Sequence, residues 1–346
     1  MIITLQDVKS ELRRLLELDA PPDPEEVADR ATAAVEVMRG MSPRVRPRNE
    51  RDEIGGIVHL RPELPTVVVP DIHARPDLIV SVMSLNAPKY GVEKPLIEEL
   101  AEERAQLVFV GDYVHAEGRA RARWRQAFQE FQTGYQRHSA MDEEMTESLA
   151  ALEMVAVLKH AFPETFHGLK GNHENIANEN KDGNLPFGKF VYEGAMVAEY
   201  MHQFYGGAAF EAIYELEKTL PLIAIGSRFI VGHAEPQRLF SREELLDYRN
   251  RADVVYGLTW TANDEAEPGS VEEMLDHYLP QSDPEERVYL GGHRPVSGLF
   301  HTRAGGSYIQ IHNPDLFVAA VLTSNRMFDP ARDVIEVPTS RSAVDG

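Results

Sequence analysis

The sequence predicts an α/β fold whose strands deliver polar side chains to one edge. Four short runs of β-branched or large apolar residues have the composition of buried strands, and each is followed within three residues by an aspartate or a histidine. Longer segments with apolar residues at helical spacing separate these runs. The predicted strands are 66–69, 107–110, 229–231 and 288–290.

Five polar motifs carry the candidate residues, and four of them follow these predicted strands, whereas the one that contains Asn172 does not. Taken alone, each motif has a plain structural explanation: a capping aspartate, a loop or a hydrogen-bonded core histidine. Open α/β sheets, however, bind ligands at the carboxyl ends of their strands, so five such motifs in one chain favour a shared site. The motifs are Pro70-Asp71-Ile72-His73, Gly111-Asp112-Tyr113-Val114, Gly171-Asn172-His173-Glu174, Val231-Gly232-His233-Ala234-Glu235 and Gly291-Gly292-His293-Arg294-Pro295.

These side chains have the chemistry of a metal site. Carboxylate, imidazole and amide oxygen suit Mn, Fe, Zn or Mg, whereas a soft thiolate site needs cysteine, which the chain lacks. Two metals about 3.5–4 Å apart can clamp the attacking and leaving oxygens of an in-line displacement at phosphorus and convert bound water to hydroxide. The sequence therefore predicts a two-metal phosphoester hydrolase, with Asp112 as the candidate bridging carboxylate.

The motifs resemble those of the calcineurin-like metallophosphoesterases, whose pattern is GD-x-HG, GD-x-x-DRG, GNHE, an HGG- or HAD-type segment and a late GHTP. The resemblance covers about residues 66 to 323. It implies a four-layer αββα sandwich of two mixed sheets with helical insertions. It also implies two divalent cations per chain, Mn²⁺ in the first instance, with Fe, Zn or Mg as alternatives.

The resemblance also implies roles for individual residues. The first metal would be bound by Asp71 and His73, and Asp112 would bridge the pair. His173 would be the general acid that protonates the leaving oxygen. The remaining implied ligands, all of the second metal, are Asn172, His233 and His293.

The late motif separates branches of this superfamily. Its nucleases carry Gly-His-x-His, whose last histidine adds a ligand to the first metal, but Pro295 occupies that position here. This favours the branch of phosphoprotein phosphatases, bacterial and phage serine/threonine phosphatases and dinucleoside tetraphosphatases. Hydrolysis of a phosphomonoester is the leading interpretation. A dinucleoside polyphosphate hydrolase and an inactive binding scaffold are the alternatives.

Two departures from the family pattern concern the second motif. His115 stands where the family places the aspartate that orients the catalytic histidine, so either His115 or Glu117 is the candidate for that task. The phosphate-gripping arginine has three candidates, because guanidinium groups suit bidentate phosphate contacts and surface arginines equally form salt bridges. They are Arg119, Arg75 and Arg294.

Composition limits the substrates and the compartment. With 35 Lys+Arg against 56 Asp+Glu, the net charge of −21 repels polyanions, so duplex nucleic acid is not expected as a substrate. A phosphorylated small molecule, a nucleotide or a phosphopeptide remains. The absence of cysteine, of signal-peptide features and of a stretch of roughly 20 apolar residues predicts a cytoplasmic protein without a membrane span.

The predicted organisation has three parts. Residues 1–60 form a helical N-terminal extension, which is a candidate dimer contact. Residues 61–330 form the catalytic domain, with a helical insertion at about 117–162 that is interpreted as a partial lid or as a long crossover. Residues 331–346 are predicted to be a loose tail.

Two hairpins are predicted near the end of the catalytic domain. One joins 222–225 to 228–231 through Gly226-Ser227. The other joins 307–311 to 316–322 around residues 312–315. The second hairpin places His312 in a turn, away from the metals.

Overall fold

The computed structural model describes residues 4–345. Residues 1–3 and 346, which begin the predicted extension and end the predicted tail, lie outside the described residues. Two mixed β-sheets pack face to face and carry helices on both outer sides, so the predicted four-layer αββα architecture is confirmed.

The strands are short. The four that precede the polar motifs match the predicted strands to within about one residue. In chain order they are β1 Ile57–His59, β2 Thr66–Val69, β3 Gln106–Phe109, β4 Phe166–Gly168, β5 Ile223–Ile225, β6 Phe229–Gly232, β7 Val288–Gly291, β8 His301–Arg303, β9 Tyr308–Gln310, β10 Val318–Leu322 and β11 Val334–Glu336.

The helices lie mainly before β5 and cover the outer face of one sheet. A π-helical turn at Met201–Tyr205 separates α7 from α8. In chain order the helices are α1 Leu5–Leu16, α2 Pro24–Gly40, α3 Pro76–Met83, α4 Leu96–Ala101, α5 Arg121–Gln132, α6 Ser139–Ala161, α7 Glu193–Tyr200, α8 Gly206–Thr219, α9 Arg242–Leu246, α10 Ala252–Thr259, α11 Ser270–Tyr278 and α12 Pro330–Asp333.

The two sheets have parallel strands at their centres. One sheet has the order β11-β10-β2-β3-β4, with β2, β3 and β4 parallel. The other has the order β1-β5-β6-β7-β9-β8, with β6, β7 and β9 parallel. The carboxyl ends of parallel neighbours meet at the same edge of each sheet. This arrangement allows the polar residues that follow the strands to share one site, as the motifs predict.

Both faces of the central strands are buried, which explains their continuous apolar runs. On β2, Val67 and Val69 point into the cluster beneath the helices, whereas Val68 packs between the sheets. On β6, Ile230 faces α9 to α11, and Val231 packs between the sheets. A strand covered on both faces has no polar alternation, so its sequence is apolar throughout.

The two N-terminal helices pack against later helices of the chain, α1 against α3 and α6 and α2 against α6 and α8. Thr4 and Asp7 form a capping box that begins α1. Helix α2 lies against α6 and α8, and Arg30 on α2 reaches buried Glu153 on α6 at 2.6 Å. No helix within residues 4–345 is both long and apolar enough to cross a bilayer.

The helical insertion covers the five-stranded sheet. The 23-residue α6 packs against α1, α2, α3 and β4, as expected of a long crossover between β3 and β4. On α5, Trp124 is fully buried, and its Nε1 donates to the Ala116 carbonyl at 2.7 Å. These contacts support the interpretation of this insertion as a long crossover.

Two expectations about the end of the chain were wrong. The strands of the second predicted hairpin form, but they do not pair: β9 joins β7 in one sheet and β10 joins β2 in the other. Residues 331–345 do not form a loose tail either, because α12 is followed by β11, which pairs with β10. Beyond β11, Ala343 and Val344 are buried. The first predicted hairpin, β5 with β6, is antiparallel as expected.

Candidate metal centre

Four strand ends bring the polar motifs together between the two sheets. Asp71 and Asp112 follow the parallel neighbours β2 and β3, and His233 and His293 follow the parallel neighbours β6 and β7. Asp71, Asp112 and His233 are all at most 1 % exposed. Such groups are placed in a protein interior only where they have partners, because burying them unpaired is costly.

Asp112 lies between two sets of candidate ligands. Its Oδ2 is 3.5 Å from His73 Nε2, and its Oδ1 is 3.5 Å from His233 Nε2. Asp71 Oδ1 lies 3.6 Å from His233 Nδ1. The two oxygens of Asp112 therefore face different histidines, which is the arrangement of a bridging carboxylate.

Asn172 joins the candidate ligands on one side of Asp112. Its Oδ1 is 3.0 Å from His233 Nε2 and 2.9 Å from His293 Nδ1. The backbone N–H of His293 also donates to Asp71 Oδ2 at 2.9 Å. The structure thus brings together all six residues predicted to bind metal.

The backbone around these residues is unusual. The φ angles are 46° at His73, 52° at Asp112, 64° at His115 and 61° at His293. A side-chain-bearing residue with positive φ costs of order 1–3 kcal/mol, and such residues cluster at functional sites. Gly292 is needed for a different reason, because a Cβ there would overlap the Asp71 carboxylate.

Glu174 holds two of the motifs in register, and the sequence analysis assigned it no role. Its carboxylate accepts the backbone N–H groups of Asp112 at 2.9 Å, Tyr113 at 2.8 Å and Gly171 at 2.6 Å. Asp112 in turn accepts the backbone N–H of His173 at 2.9 Å. The Gly-Asn-His-Glu motif therefore fixes the bridging candidate through its last residue as well as supplying a ligand.

Burial controls the charge of the cluster. Burial raises the pKa of Asp112 well above its usual range, and the nearby Asp71 and Glu174 carboxylates raise it further. Burial likewise raises the pKa of Asp71. Burial lowers the pKa of His73 to about 3 and that of His293 to about 3, so both imidazoles are neutral. Neutral imidazoles beside crowded carboxylates form a cluster that a cation would stabilise.

His115 contacts both a ligand candidate and the predicted general acid. Its ring Nδ1 lies 2.9 Å from His173 Nδ1, and its carbonyl accepts from His73 Nδ1 at 3.0 Å. The His115 backbone N–H donates to Ser148 Oγ on α6 at 3.1 Å, and Phe187 stacks on the His115 ring at 5.3 Å between centroids. Of the two candidates to orient His173, His115 is the one in contact with it.

Glu117 makes its contacts elsewhere. One oxygen lies 2.9 Å from His312 Nε2, and the other lies 2.8 Å from Lys189 Nζ and 3.7 Å from His73 Nε2. Burial opposes the charge of this carboxyl, but His73, His312 and Lys189 together hold the pKa of Glu117 below its usual range.

His312 is fully buried at the centre of the cluster, although the sequence analysis placed it in a turn. It follows β9, the parallel neighbour of β7, just as His293 follows β7. The sequence signal was therefore the same one that identified the other ligands. The hairpin assumption concealed it.

The three candidate arginines differ in what they contact. Arg75 is 5 % exposed and donates to the carbonyls of Asp71 at 2.7 Å and Ile72 at 2.9 Å. Arg119 donates to the Ala74 carbonyl and pairs with Glu147 at 2.8 Å. Arg294 is exposed, and its guanidinium has no hydrogen bond or ion pair with any residue from 4 to 345.

The residues present fit a pair of divalent metals. Three buried groups have ligand atoms that all lie within 4.8 Å of one another: Asp71, His73 and His312; His73, Asp112 and His173; and Asp71, Asp112 and His233. Carboxylates and neutral imidazoles are the donors that first-row divalent metals accept. Two buried ring nitrogens, Nε2 of half-buried His293 and Nδ1 of buried His312, have no hydrogen-bond partner among the described residues and are available to a metal.

Comparison with known proteins supports the fold. The structure resembles a protein serine/threonine phosphatase from Saccharomyces cerevisiae with similarity to human phosphatase PP5. The TM-score is 0.55 at 14% identity, over 91% of this chain and 89% of that one. At this identity the likeness concerns the fold alone.

Two weaker likenesses concern cold-active protein tyrosine phosphatases. One has a TM-score of 0.45 at 12% identity, over 78% of each chain. The other, from a psychrophilic Shewanella, has a TM-score of 0.44 at 14% identity, over 81% of this chain and 83% of that one. No family model and no curated protein matches the sequence.

Proposed function

We propose that this chain is a dinuclear metal-dependent phosphatase of the calcineurin-like metallophosphoesterase type. The observation that carries the proposal is the position of Asp112, whose two oxygens face His73 and His233 from opposite sides. Candidate ligands from three other motifs lie beside this carboxylate, and His293 from the last motif contacts Asn172 and Asp71. A structural aspartate would not need neutral imidazoles on both of its oxygens.

The contacts support the ligand roles that the resemblance implies. Asp71 and His73 would bind the first metal and Asp112 would bridge the pair. When bound, two divalent ions, Mn²⁺ in the first instance, supply positive charge for the phosphoryl oxygens and activate water as the nucleophile. The second metal would be bound by the three residues that meet at the Asn172 amide oxygen: Asn172, His233 and His293.

His173 would act as the general acid. Its Nδ1 is occupied by His115, while its Nε2 points back to the cluster, 3.8 Å from Asp112 Oδ2. A general acid must be within hydrogen-bonding reach of the leaving group and is normally oriented by a second group. His115 supplies that orientation here, in place of the aspartate of the family pattern.

Arg294 is the candidate for gripping phosphate. Its neighbour His293 is a ligand candidate, and its exposed guanidinium remains free of protein partners among residues 4–345. A guanidinium presents a planar pair of donors that matches two phosphate oxygens. Arg75, by contrast, is held by backbone carbonyls beneath the cluster.

The substrate proposed is a phosphomonoester on a small molecule or a phosphoprotein. The net charge of −21 disfavours a polyanion. A dinucleoside polyphosphate hydrolase could use aromatic residues of the insertion to stack on a base, but Trp124 and Tyr135 are at most 2 % exposed, and Phe128 and Phe131 pack against the core. Those side chains belong to the core, so no observation favours that alternative.

A substrate panel tests the proposal. Purified protein, stripped of metal and reconstituted with Mn²⁺, is assayed on p-nitrophenyl phosphate, its bis ester, diadenosine tetraphosphate and a phosphopeptide. We expect metal-dependent turnover of the monoesters, with far less on the bis ester and on the dinucleotide. Retention of no metal and hydrolysis of none of the four substrates would point instead to a binding scaffold.

A further inference from the structure

His312 has the features of a metal ligand that none of the motifs predicted. It lies at the carboxyl end of β9, and its side chain is completely buried. Its Nδ1 has no hydrogen-bond partner among residues 4–345 and lies 3.3 Å from Asp71 Oδ2. Together with Asp71 and His73 it forms one of the compact groups of candidate ligand atoms.

The opposite side of the His312 ring is held by a carboxylate. Nε2 lies 2.9 Å from Glu117 Oε2, so the Nε2 proton is donated to Glu117 and Nδ1 is left with its lone pair. Metal-binding histidines usually donate their second ring nitrogen to a carboxylate or a carbonyl, which fixes the tautomer. His73 shows the same design, because its Nδ1 is bonded to the His115 carbonyl and its Nε2 faces Asp112.

The distances suit a single ion. Two ligand atoms bonded to one metal at about 2.1 Å lie roughly 3.0–3.5 Å apart. The separation from His312 Nδ1 to Asp71 Oδ2 is 3.3 Å, and that from His73 Nε2 to Asp112 Oδ2 is 3.5 Å. Asp71, His73 and His312 therefore have ligand atoms close enough together to share one ion, and His73 also lies beside Asp112.

We propose that His312 binds the first metal through Nδ1 and that Glu117 is the positioning residue that holds its ring. The inference rests on the proposed dinuclear function and adds a second imidazole to the first site. It also accounts for Glu117, which contacts His312 and not the general acid. Lys189 Nζ, 2.8 Å from the other oxygen of Glu117, keeps that carboxylate ionised and in place.

Metal titration of the full chain tests this proposal. Metal-free protein is titrated with Co²⁺ and followed by calorimetry and by the visible absorption of the bound ion. We expect two sites in the unaltered protein. In His312→Ala we expect one site to weaken by at least tenfold, with a changed absorption spectrum, while the other site keeps its affinity. In Glu117→Gln the same site should weaken on the order of 10–100-fold.

His301→Ala is the matched control, because His301 is exposed on β8, the strand paired with β9. It should bind two ions like the unaltered protein. Unchanged affinities and spectrum in a folded His312→Ala variant would overturn the proposal. If that variant does not fold, Glu117→Gln decides, and two unchanged sites there would overturn it equally. If the unaltered protein itself bound no metal, the proposed dinuclear function would be refuted. If it bound two ions and the variants did too, only the role of His312 would be refuted.

Discussion

The two sides of Asp112 differ in how closely they follow the family pattern. On one side, Asn172, His233 and His293 meet at one amide oxygen, and each comes from a motif of the expected form. On the other side, His73 is accompanied by His312 and Glu117, and the loop that follows β3 carries His115 where an aspartate is expected. The first side matches the expected motifs residue by residue, whereas the second departs from them around the same proposed bridging carboxylate.

The comparison shows which parts of the site keep the expected residues and which parts differ from them. The strand ends fix the ligand positions, and Glu174 fixes the backbone of Asp112 through three N–H groups. The backbone of the loop after β3 is held by α6, because Glu144 accepts the Ala116 N–H at 2.8 Å and Ser148 accepts the His115 N–H at 3.1 Å. Buried backbone groups must be paired, and here a helix of the crossover layer pairs them.

The largest effect is expected from the residue shared by both sides. Asp112→Asn removes the charge that faces two metals, so metal content and turnover should be lost together. Elemental analysis after purification and the monoester assay check this. Asp264→Asn, at an exposed position, is the control. Full metal content with normal turnover in Asp112→Asn would show that the carboxylate does not bridge.

His173→Ala should leave both metals bound and remove the acid. Protonation of an expelled alkoxide is worth about 10²–10⁴-fold in rate, whereas p-nitrophenolate leaves without much help. Turnover of an alkyl phosphate should therefore fall far more than that of the aryl ester. Equal losses on the two substrates would assign His173 a structural or phosphate-binding role.

The variants His115→Ala and Glu117→Ala separate the roles of these two residues of the loop after β3. Loss of the group that orients His173 should lower turnover by about 10–100-fold, the usual effect of an outer partner, while both metals remain bound. Glu117→Ala should instead weaken metal binding, because Glu117 contacts His312. Measuring turnover at saturating metal separates the two. An unchanged rate in His115→Ala and in the double variant would remove the loop from catalysis.

The smallest effect is expected at Arg294. Loss of a charge-assisted hydrogen bond of about 1.5–3 kcal/mol, weakened by exposure, should raise KM by roughly tenfold with little change in kcat. Arg294→Lys should recover part of this through its charge, without the paired donors. Inhibition by inorganic phosphate gives an independent measure. If the alanine variant kept both the KM and the phosphate inhibition constant, another group would have to bind the phosphate.

The sequence predicted the layer architecture and the convergence of six side chains, because strand runs and the residues that follow them are local signals. The sequence did not predict which strands pair with each other when the pairing partners are far apart along the chain. The runs that became β9 and β10 are both apolar, and nothing local indicated that they join different sheets. Pairing them as a hairpin put His312 in a turn. The segment between them instead crosses from one sheet to the other at the metal rim.

The same limit explains the end of the chain and the insertion. Residues 334–336 form a run of only three residues, which is too short to be recognised as a strand from the sequence, and β11 pairs with the edge of β10. On α6, burial on nearly all sides reflects packing between the N-terminal helices and the sheet, which its sequence alone does not reveal. Glu174 likewise holds the Asp112 loop only because folding brings the backbone N–H groups of Asp112 and Tyr113 to its carboxylate.

The central claim is that Asp112 bridges two metals, and anomalous X-ray scattering from crystals of the Mn²⁺-reconstituted protein tests it most directly. We expect two anomalous peaks about 3.5–4 Å apart, one on the His73 side of Asp112 and one on the His233 side. A single peak, or two peaks that do not share Asp112, would contradict the account.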